Sequence, residues 1–478
     1  MLERTHPKYT ERIIQFGTGN FLRGFFDWQI DLLNETTDLD AGVVVLKSTD
    51  SKRPSLNSQN GLYTVVTRGL GDDGEVIEES RLITSVNRQF NINSDYQGFL
   101  ALAHDLNFHS IVSNTTEAGI VYDSDASLEG DLPQSFPANL TRLLLERYKL
   151  TEGDAETGFS VLPCELIDDN GGKLKEIVMR HADDWNLEEG FKNWLEKANK
   201  FYSTLVDRIV TGYPEDAKQL EEKLGYEDKF MTVAEPFYFF ALQGPKEPLQ
   251  ALNLEKLSPN VITTDDLTPY KQRKVGLLNA AHTSLVPVAY LAGIDTVREA
   301  VEDEVVGSFL NNLLEKELIP SLDLPKNELE TFARSVVRRF KNPFIEHKLL
   351  DISLNSSSKV VARLLPRLVS YKEEFDEFPT RLAFAIAAQL YFYRGKRNGE
   401  TFALRDDARV LEVLEKTWSA FDKGELTLQE VSQDLLQNTE IWGQDLSKID
   451  GLTEMVSNHL ETIHQQGIRV AIAQLERA

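Results

Sequence analysis

Apolar positions divide the chain near residue 265 into two regions of different periodicity. In the first region, short apolar runs alternate with stretches of helical spacing. Strands that alternate with helices favour a mostly parallel sheet with helices on both faces. We therefore expect an α/β Rossmann-like domain over residues 1–268. Its predicted strands are residues 12–16, 43–46, 110–113 and 159–162.

In the second region, nearly every segment has helical periodicity, which predicts an all-α domain over residues 269–478. Its most apolar run, Leu382–Tyr393, has 12 residues, whereas a membrane-spanning helix needs about 20. We expect a buried helix there and no association with a membrane. The predicted helices are residues 271–293, 296–316, 326–340, 358–371, 380–394, 406–421, 427–436 and 451–477.

Two glycines, Gly17 and Gly19, follow the first predicted strand and precede a predicted helix. Glycine permits a tight turn at this position and lets backbone N–H groups approach the pyrophosphate of a dinucleotide. The motif is incomplete, because Leu22 occupies the place of a third glycine. A tight strand-to-helix turn without a ligand is therefore an equally good interpretation of the two glycines alone.

Two side chains after the second strand bear on the choice of cofactor. Asp50 is placed to accept a hydrogen bond from a ribose 2′-hydroxyl, which favours NAD. Lys47 is a cation in the same stretch and is compatible with a 2′-phosphate. The sequence therefore favours NAD without excluding NADP.

Three polar residues interrupt an otherwise apolar helix at Lys274, Asn279 and His282. At about 100° per residue they share one side of the helix. A desolvated lysine beside another cation loses its proton more easily, which suits it to exchange a proton with a hydroxyl or ketone oxygen. Asn279 and His282 would then donate hydrogen bonds to that oxygen. The structural alternative is an exposed lysine, an asparagine at a helix bend and a histidine satisfied within the core.

Composition excludes several classes of function. The 478 residues carry 51 Lys and Arg against 76 Asp and Glu, and the net charge of −25 disfavours nucleic acid as a partner. Cys164 is the only cysteine, which fits a reducing compartment, and residues 1–7 have no apolar signal segment, so we expect a cytoplasmic protein. The eight histidines show no metal-binding spacing, and no metal is predicted.

Four motifs together resemble those of the mannitol dehydrogenase family of polyol-specific long-chain dehydrogenases. The likeness extends over essentially the whole chain, and the lysine helix at its full spacing is its most specific part. The motifs are Gly17-x-Gly19-x-Phe21-x-Arg23, Thr115-Thr116-Glu117-x-Gly119, Val206-Asp207-Arg208-Ile209 and Lys274-x4-Asn279-x2-His282.

The resemblance implies metal-independent hydride transfer with NAD(H) as the cofactor. Lys274 would be the general acid/base, and Asn279 and His282 would hold the reacting oxygen. Asp207 and Lys359 match family positions near the substrate. The cofactor-binding positions predicted from the residues and the family motifs are Gly17, Gly19, Asn20, Phe21, Arg23, Asp50, Thr116 and Glu117.

Two departures from the polyol enzymes indicate a different substrate. Leu166 replaces an asparagine that binds the reacting oxygen, which leaves that task to Asn279 and His282 alone, and Asp351 replaces an arginine. Residues 331–367 contain eight Lys or Arg against two acids, a local balance of +6 that suits a carboxylate.

A closer likeness to the sugar-acid members of the family lies in residues 13–35, 113–120, 163–171, 203–214 and 392–401. We therefore expect a sugar-acid substrate, with Lys359 and Arg363, one helical turn apart, as candidates to bind its carboxylate. The epimeric keto-uronates, a hexitol, and a nucleotide-sensing role without catalysis remain alternatives. The oligomeric state cannot be inferred from the sequence.

Overall fold

The computed structural model describes residues 2–48, 54–115, 118–129 and 132–477. The chain forms two compact units by its internal contacts. Unit 1 contains Met1–Gly71 and Val76–Thr268, and unit 2 contains Asp72–Glu75 and Pro269–Ala478.

The strands of unit 1 form three sheets, and unit 2 adds a two-stranded hairpin. In chain order, the strands are β1 (Glu11–Phe16), β2 (Gly42–Lys47), β3 (Tyr63–Leu70), β4 (Val76–Ile83), β5 (Val86–Asn91), β6 (Ser110–Ser113), β7 (Ser160–Pro163), β8 (Lys200–Phe201), β9 (Ser203–Asp207), β10 (Val210–Gly212), β11 (Thr232–Ala234), β12 (Phe239–Gln243), β13 (Val261–Thr264), β14 (Lys396–Arg397) and β15 (Glu400–Thr401).

Helices occur in both units and are numbered in chain order. The first seven are α1 (Asn20–Gly24), α2 (Phe26–Thr36), α3 (Tyr96–Ala101), α4 (Phe136–Thr151), α5 (Asn170–Asp184), α6 (Glu189–Lys197) and α7 (Ala217–Leu224). The next seven are α8 (Thr268–Arg273), α9 (Ala280–Leu291), α10 (Val297–Glu302), α11 (Glu304–Leu313), α12 (Lys326–Phe340), α13 (Leu349–Ile352) and α14 (Ser356–Lys359). The last seven are α15 (Leu365–Phe375), α16 (Thr380–Phe392), α17 (Ala408–Asp422), α18 (Leu428–Leu436), α19 (Thr439–Trp442), α20 (Leu452–Gln466) and α21 (Ile468–Leu475). Short 3₁₀ helices cover Leu56–Gln59, Leu102–His104, Ala155–Thr157, Glu247–Leu252, Leu254–Leu257 and Leu446–Lys448.

The central sheet of unit 1 has six strands in the order β5-β2-β1-β6-β7-β8, and all neighbouring strands are parallel. This is the strand order of a Rossmann sheet, which confirms the predicted α/β fold. Both faces of the sheet are covered. Ile13 and Val43 belong to the core cluster on one face, and Ile14 and Val44 belong to the cluster on the other. The strands therefore appear in the sequence as continuous apolar runs.

Two smaller sheets of unit 1 were not predicted. One has the order β10-β11-β3-β4, and the other has the order β13-β12-β9. The antiparallel partner of β3, β4, has the polar sequence VIEESRLI and is mostly exposed or half-buried. Such a strand has neither a continuous apolar run nor a clean alternation, so hydrophobic patterning misses it.

Unit 2 is helical apart from the hairpin β14–β15, which confirms the second predicted domain type. Helix α16 is at its centre and contains the apolar run at Leu382, now seen as a buried helix. Three π-helical segments interrupt the α-helices at Lys274–Asn279, Leu314–Leu318 and Val360–Leu364. Among the described residues, no helix combines the length and apolar character needed to cross a membrane.

Candidate active site

A cavity of about 800 Å³ lies at the carboxyl ends of β1, β2 and β6 in unit 1. The strand order reverses at β1, and Rossmann folds bind dinucleotides at this switch point. Gly17, Gly19, Asn20 and Phe21, all predicted to bind the cofactor, line it. The other lining residues are Phe16, Thr18, Leu46, Lys47, Ser48, Ile92, Asn114, Thr115, Ala118, Gly119, Val121, Tyr122, Asp123, Gln134, Ser135, Phe136 and Asn139.

The two glycines of the turn have different structural reasons to be glycine. Gly17 has a φ of +119°, and a Cβ there would lie 2.7 Å from the carbonyl oxygen of Asn114. Any other residue would therefore be strained and would collide with backbone. Gly19 has a φ of −67°, and a Cβ there would meet no described atom within 4 Å. The fold would tolerate a side chain at position 19. The absence of a side chain at Gly19 therefore keeps the surface of the turn accessible to a ligand.

Gly24, in α1, packs closely against a strand of one of the smaller sheets. A Cβ on Gly24 would lie 2.9 Å from Cγ1 of Val210, in β10. Leu22, at the position expected for a third glycine, is instead a buried core residue. Immediately after Gly24 the helix breaks at Phe25, with φ −125° and ψ −75°, and α2 begins. Gly24 therefore allows close packing of α1 on β10, and the glycine turn has two glycines, as its sequence indicated.

Arg23 has contacts that favour a structural role. Its guanidinium is buried, donates a hydrogen bond of 2.7 Å to the carbonyl of Phe230, and donates another to Oδ1 of Asn20. It also lies over the rings of Phe230 and Tyr63. These contacts fix α1 to the neighbouring strands, and they give no support to the prediction that Arg23 binds the cofactor.

The loop after β6 is held by Glu165, a residue to which sequence reasoning gave no role. Its buried carboxylate accepts hydrogen bonds from the hydroxyl of Ser113 (3.0 Å) and from the backbone N–H (2.9 Å) and hydroxyl (3.0 Å) of Thr115. Burial raises the pKa of Glu165 above its ordinary value, and these hydrogen bonds oppose part of that rise. The adjacent Leu166, which departs from the family pattern, is 62% exposed.

Asn114 and Cys164 connect the ends of β6 and β7. The Asn114 amide donates a hydrogen bond of 2.7 Å to the carbonyl of Cys164. The Cys164 thiol is fully buried, and burial raises its pKa well above the ordinary value. A thiol that is buried and protonated is a poor nucleophile.

Three predicted cofactor-binding residues, Asp50, Thr116 and Glu117, lie outside the described residues. Lys47, the cation weighed against Asp50, lines the cavity at the end of β2. Asp207, predicted to contact substrate, ends β9 in unit 1, is buried and is paired in register with Phe239.

The lysine helix of unit 2 departs from the α-helical geometry that its sequence spacing suggested. Lys274–Asn279 is π-helical, and α9 begins at Ala280. In a π-helix the hydrogen bonds join residues five apart, so residues five apart lie closer to one side of the helix than they do in an α-helix. Lys274 and Asn279 are therefore closer in direction than the α-helical spacing implies. His282 follows in the first turn of α9.

His282 is enclosed by aromatic rings and cations of unit 2. Its ring stacks on Phe340 at 4.1 Å between centroids and meets His347 edge-on at 5.4 Å. Burial lowers the pKa of His282 well below its ordinary value, and the neighbouring His347 and the cations at Arg339, Arg363 and Lys359 lower it further. The imidazole is therefore neutral, and one ring nitrogen carries a proton to donate. Within the part of the chain that is described, Nε2 has no hydrogen-bond partner.

Lys359 and Arg363, the candidates for the substrate carboxylate, both act on His282 electrostatically. Nζ of Lys359 donates to the carbonyl of Ile352 at 2.7 Å, and Nη1 of Arg363 donates to Oγ1 of Thr283 at 3.2 Å. Burial lowers the pKa of both cations, so each would gain from an anionic ligand.

The basic segment 331–367 does not act as one surface. Arg339, Lys359 and Arg363 are near His282, whereas Arg334 is exposed. Asp351, which replaces the family arginine, is exposed and pairs with a cation from another segment, since Nη2 of Arg405 lies 3.1 Å from its Oδ1. Sequence reasoning missed His347, which carries no motif, and gave no role of its own to Arg339, which it counted as a member of the basic segment.

Among the described residues, no three His, Cys, Asp or Glu side chains come together in a way that could hold a metal ion.

A Rossmann unit with a glycine-turn cavity, together with a helical unit bearing a lysine helix, is the architecture of a two-domain dehydrogenase. Residues 11–256 match the mannitol dehydrogenase Rossmann domain, and residues 266–464 match the mannitol dehydrogenase C-terminal domain. The chain belongs to the mannitol dehydrogenase family, as the sequence motifs indicated.

Curated relatives match along nearly the full length. An altronate oxidoreductase from Yersinia enterocolitica is 50% identical over 472 residues, and another from Escherichia coli is 49% identical over 470 residues. In both cases the match covers 98% of this chain and 97% of the relative.

Two solved structures share the fold. D-sorbitol dehydrogenase in substrate-free form gives a TM-score of 0.77 at 23% identity, covering 97% of this chain and 95% of that one. The Pseudomonas fluorescens mannitol 2-dehydrogenase complex with NAD and D-mannitol gives a TM-score of 0.69 at 22% identity, and the match covers 98% of this chain and 95% of that one.

The difference between the two glycines of the turn gives a test. Gly17→Ala should lower the free energy of unfolding by about 1–3 kcal/mol, because it forces a side chain into a left-handed conformation and against the Asn114 backbone. Gly19→Ala, the matched control, should change it by less than about 0.5 kcal/mol. Urea unfolding of both variants measures the difference. Equal stability of the two variants would show that the turn is not constrained as described.

Proposed function

We propose that the protein interconverts D-altronate and D-tagaturonate with NAD(H) as the hydride carrier. The observation that carries this proposal is the match of about 50% identity, along nearly the full length, to relatives named altronate oxidoreductase. The cations around His282 support an acidic substrate, and the lone buried thiol of Cys164 fits a reducing, cytoplasmic location.

The cavity of unit 1 fits the dinucleotide. Its position at the switch point of the sheet and the accessible backbone at Gly19 suit a pyrophosphate, which Gly17, Gly19 and Asn20 would hold. When bound, NAD(H) supplies or accepts the hydride. Asp50, from its place after the second strand, and Thr116 and Glu117, from the family motif, are proposed as further cofactor contacts.

Lys274 is proposed to move the proton. In the direction of oxidation, its neutral amine accepts the proton of the reacting hydroxyl while the hydride leaves the same carbon. In the direction of reduction, the ammonium returns that proton to the oxygen. The oxygen is negatively charged in the transition state, and the Asn279 amide and the neutral imidazole of His282 would donate hydrogen bonds to it.

The substrate carboxylate is assigned to Lys359 and Arg363. Both are partly buried, so an ion pair with a carboxylate is less screened than one at the surface. Asp207, the remaining substrate position, would accept hydrogen bonds from sugar hydroxyls.

A panel of substrates tests the proposed function directly. NADH oxidation should proceed with a higher kcat/KM on D-tagaturonate than on D-fructuronate, and at least about 10-fold higher than on D-fructose, because one charge-assisted hydrogen bond contributes about 1.5–3 kcal/mol. NADPH should be the poorer cofactor. Equal rates with D-fructose would instead favour a hexitol dehydrogenase, and a preference for D-fructuronate would favour the epimeric reaction. Cofactor binding without turnover on any of the three would favour a nucleotide sensor.

The role of Lys274 is tested by Lys274→Ala. This variant should lower kcat by about 10²–10⁴-fold, the usual contribution of a positioned general acid/base, with little change in the Kd for NADH. Lys316→Ala, at an exposed lysine of another π-helical segment, is the matched control and should keep normal kcat. A near-normal kcat for Lys274→Ala would mean that another group transfers the proton.

The carboxylate assignment is tested by Arg363→Met. The KM for D-tagaturonate should rise by about 10–150-fold, whereas the KM for a neutral ketose should change little. Arg334→Met removes an exposed arginine of the same basic segment and should leave both KM values unchanged. Equal increases in KM for the acid and the ketose would rule out a contact specific to the carboxylate.

A further inference from the structure

One polar side chain lies within the buried strand that leads into the glycine turn. Gln15 is fully buried among Ile13, Ile14 and Phe16, which are all apolar. Its Nε2 donates to the carbonyl oxygen of Gly17 at 3.2 Å. Burial of an amide costs desolvation free energy that only its hydrogen bonds offset. Packing alone therefore does not explain a glutamine at this position.

The hydrogen bond from Gln15 sets the direction of a backbone N–H in the turn. In a trans peptide the C=O and the following N–H point in opposite directions. Because the Gly17 carbonyl is held towards Gln15, the N–H of Thr18 points away from it. Thr18 lines the cavity, so this geometry leaves its N–H for a ligand rather than for the sheet. Backbone N–H groups of this kind are what a pyrophosphate binds.

The orientation of the Gln15 amide is set in turn by Asp27. Oδ2 of Asp27 accepts from Nε2 of Gln15 at 3.4 Å and from the hydroxyl of Tyr63 at 3.1 Å. Asp27 is fully buried in α2 and does not line the cavity. A carboxylate only accepts hydrogen bonds, so it forces the amide nitrogen of Gln15, not its oxygen, to face this side.

We propose that Gln15 and Asp27 are positioning residues that hold the glycine turn in the conformation that receives the pyrophosphate of the dinucleotide. This inference rests on the proposed function, because it assumes that NAD(H) binds at the turn. Both residues act through the peptide between Gly17 and Thr18, and neither needs to touch the cofactor.

Asp27 makes this arrangement sensitive to pH. Burial raises the pKa of Asp27 to about 7, opposed by hydrogen bonds from Tyr63 and Gln15 and by the charge of Arg23. The groups that face it are thus Tyr63 from β3, Gln15 from β1, Arg23 from α1, and Asp31 from its own helix. Above pH about 7 the charged carboxylate accepts both hydrogen bonds at Oδ2, whereas at lower pH Asp27 becomes neutral and the hydrogen bonds from Gln15 and Tyr63 lose their charge-assisted strength.

The first experiment compares two buried glutamines. NADH affinity is measured by fluorescence titration for the full-length wild type, Gln15→Met and Gln29→Met. Gln29 is equally buried, lies in α2, and has no side-chain hydrogen bond to the described residues. Gln15→Met should raise the Kd for NADH by about 3–10-fold with kcat within about 2-fold of the wild type, because the hydrogen bond that holds the Gly17 carbonyl is lost. Gln29→Met should leave the Kd unchanged.

The second experiment measures the Kd for NADH between pH 6 and 8 for the wild type and for Asp27→Asn. Binding by the wild type should weaken by about 2–5-fold towards pH 6, and the variant should show no such change, because its amide does not titrate. Tighter wild-type binding at pH 6 would overturn the proposal, since it would mean that Asp27 acts by repelling the phosphates. This comparison decides the matter if Gln15→Met does not fold.

The outcomes separate this inference from the proposed function. Absence of NADH binding by the wild type would refute the proposed cofactor itself. Normal binding by the wild type, with equal Kd values for Gln15→Met and Gln29→Met, would refute only the positioning role.

Discussion

The cavity of unit 1 depends on how closely the backbone of Gly17 approaches the backbone of Asn114. That approach is possible only without a Cβ, and it brings the ends of β1 and β6 together. The Asn114 amide donates a hydrogen bond to the carbonyl of Cys164, and the Glu165 carboxylate accepts hydrogen bonds from Ser113 and Thr115. The ends of β6 and β7 are thus held together by hydrogen bonds from side chains that are buried or half-buried. The position of the turn therefore follows from the sheet and not from the ligand.

In unit 2 the corresponding constraint is the π-helical segment at Lys274–Asn279. An extra residue in the turn is unfavourable in an ordinary helix, and such segments concentrate at functional sites. This segment brings Lys274 and Asn279 closer in direction than an α-helix would. Burial, together with the charges of Arg339, Lys359 and Arg363, keeps the imidazole of His282 neutral, so that it serves as a hydrogen-bond donor and not as an acid.

Sequence reasoning succeeded where burial imposes a simple pattern. The strands of the central sheet are covered on both faces, so β1 and β2 appear as apolar runs. It failed for β4, whose polar sequence forms a strand only because β3 pairs with it along its length. Tertiary pairing of this kind leaves no periodic signal in the strand itself.

The candidate site was predictable to the extent that motifs carry it. Gly17, Gly19, Asn20 and Phe21 line one cavity, as the glycine turn indicated. Arg23 belongs to the same motif, yet its contacts are to Phe230 and Asn20. Motif spacing alone does not distinguish a ligand contact from a packing contact. Glu165 and His347 required the structure, since each acts through residues distant in the sequence. The π-helical geometry of the lysine helix also has no signature in residue spacing.

Cys164 gives the central sheet a single chemical marker. It is the one thiol in 478 residues, it follows β7 directly, and no part of it is exposed. A thiol reagent reaches such a sulfur only when the surrounding sheet opens. The rate at which Cys164 is alkylated in the native protein therefore reports the opening of the strand ends that hold the glycine turn. Ligands that stabilise those strand ends would slow the labelling, so the labelling rate of Cys164 measures local stability.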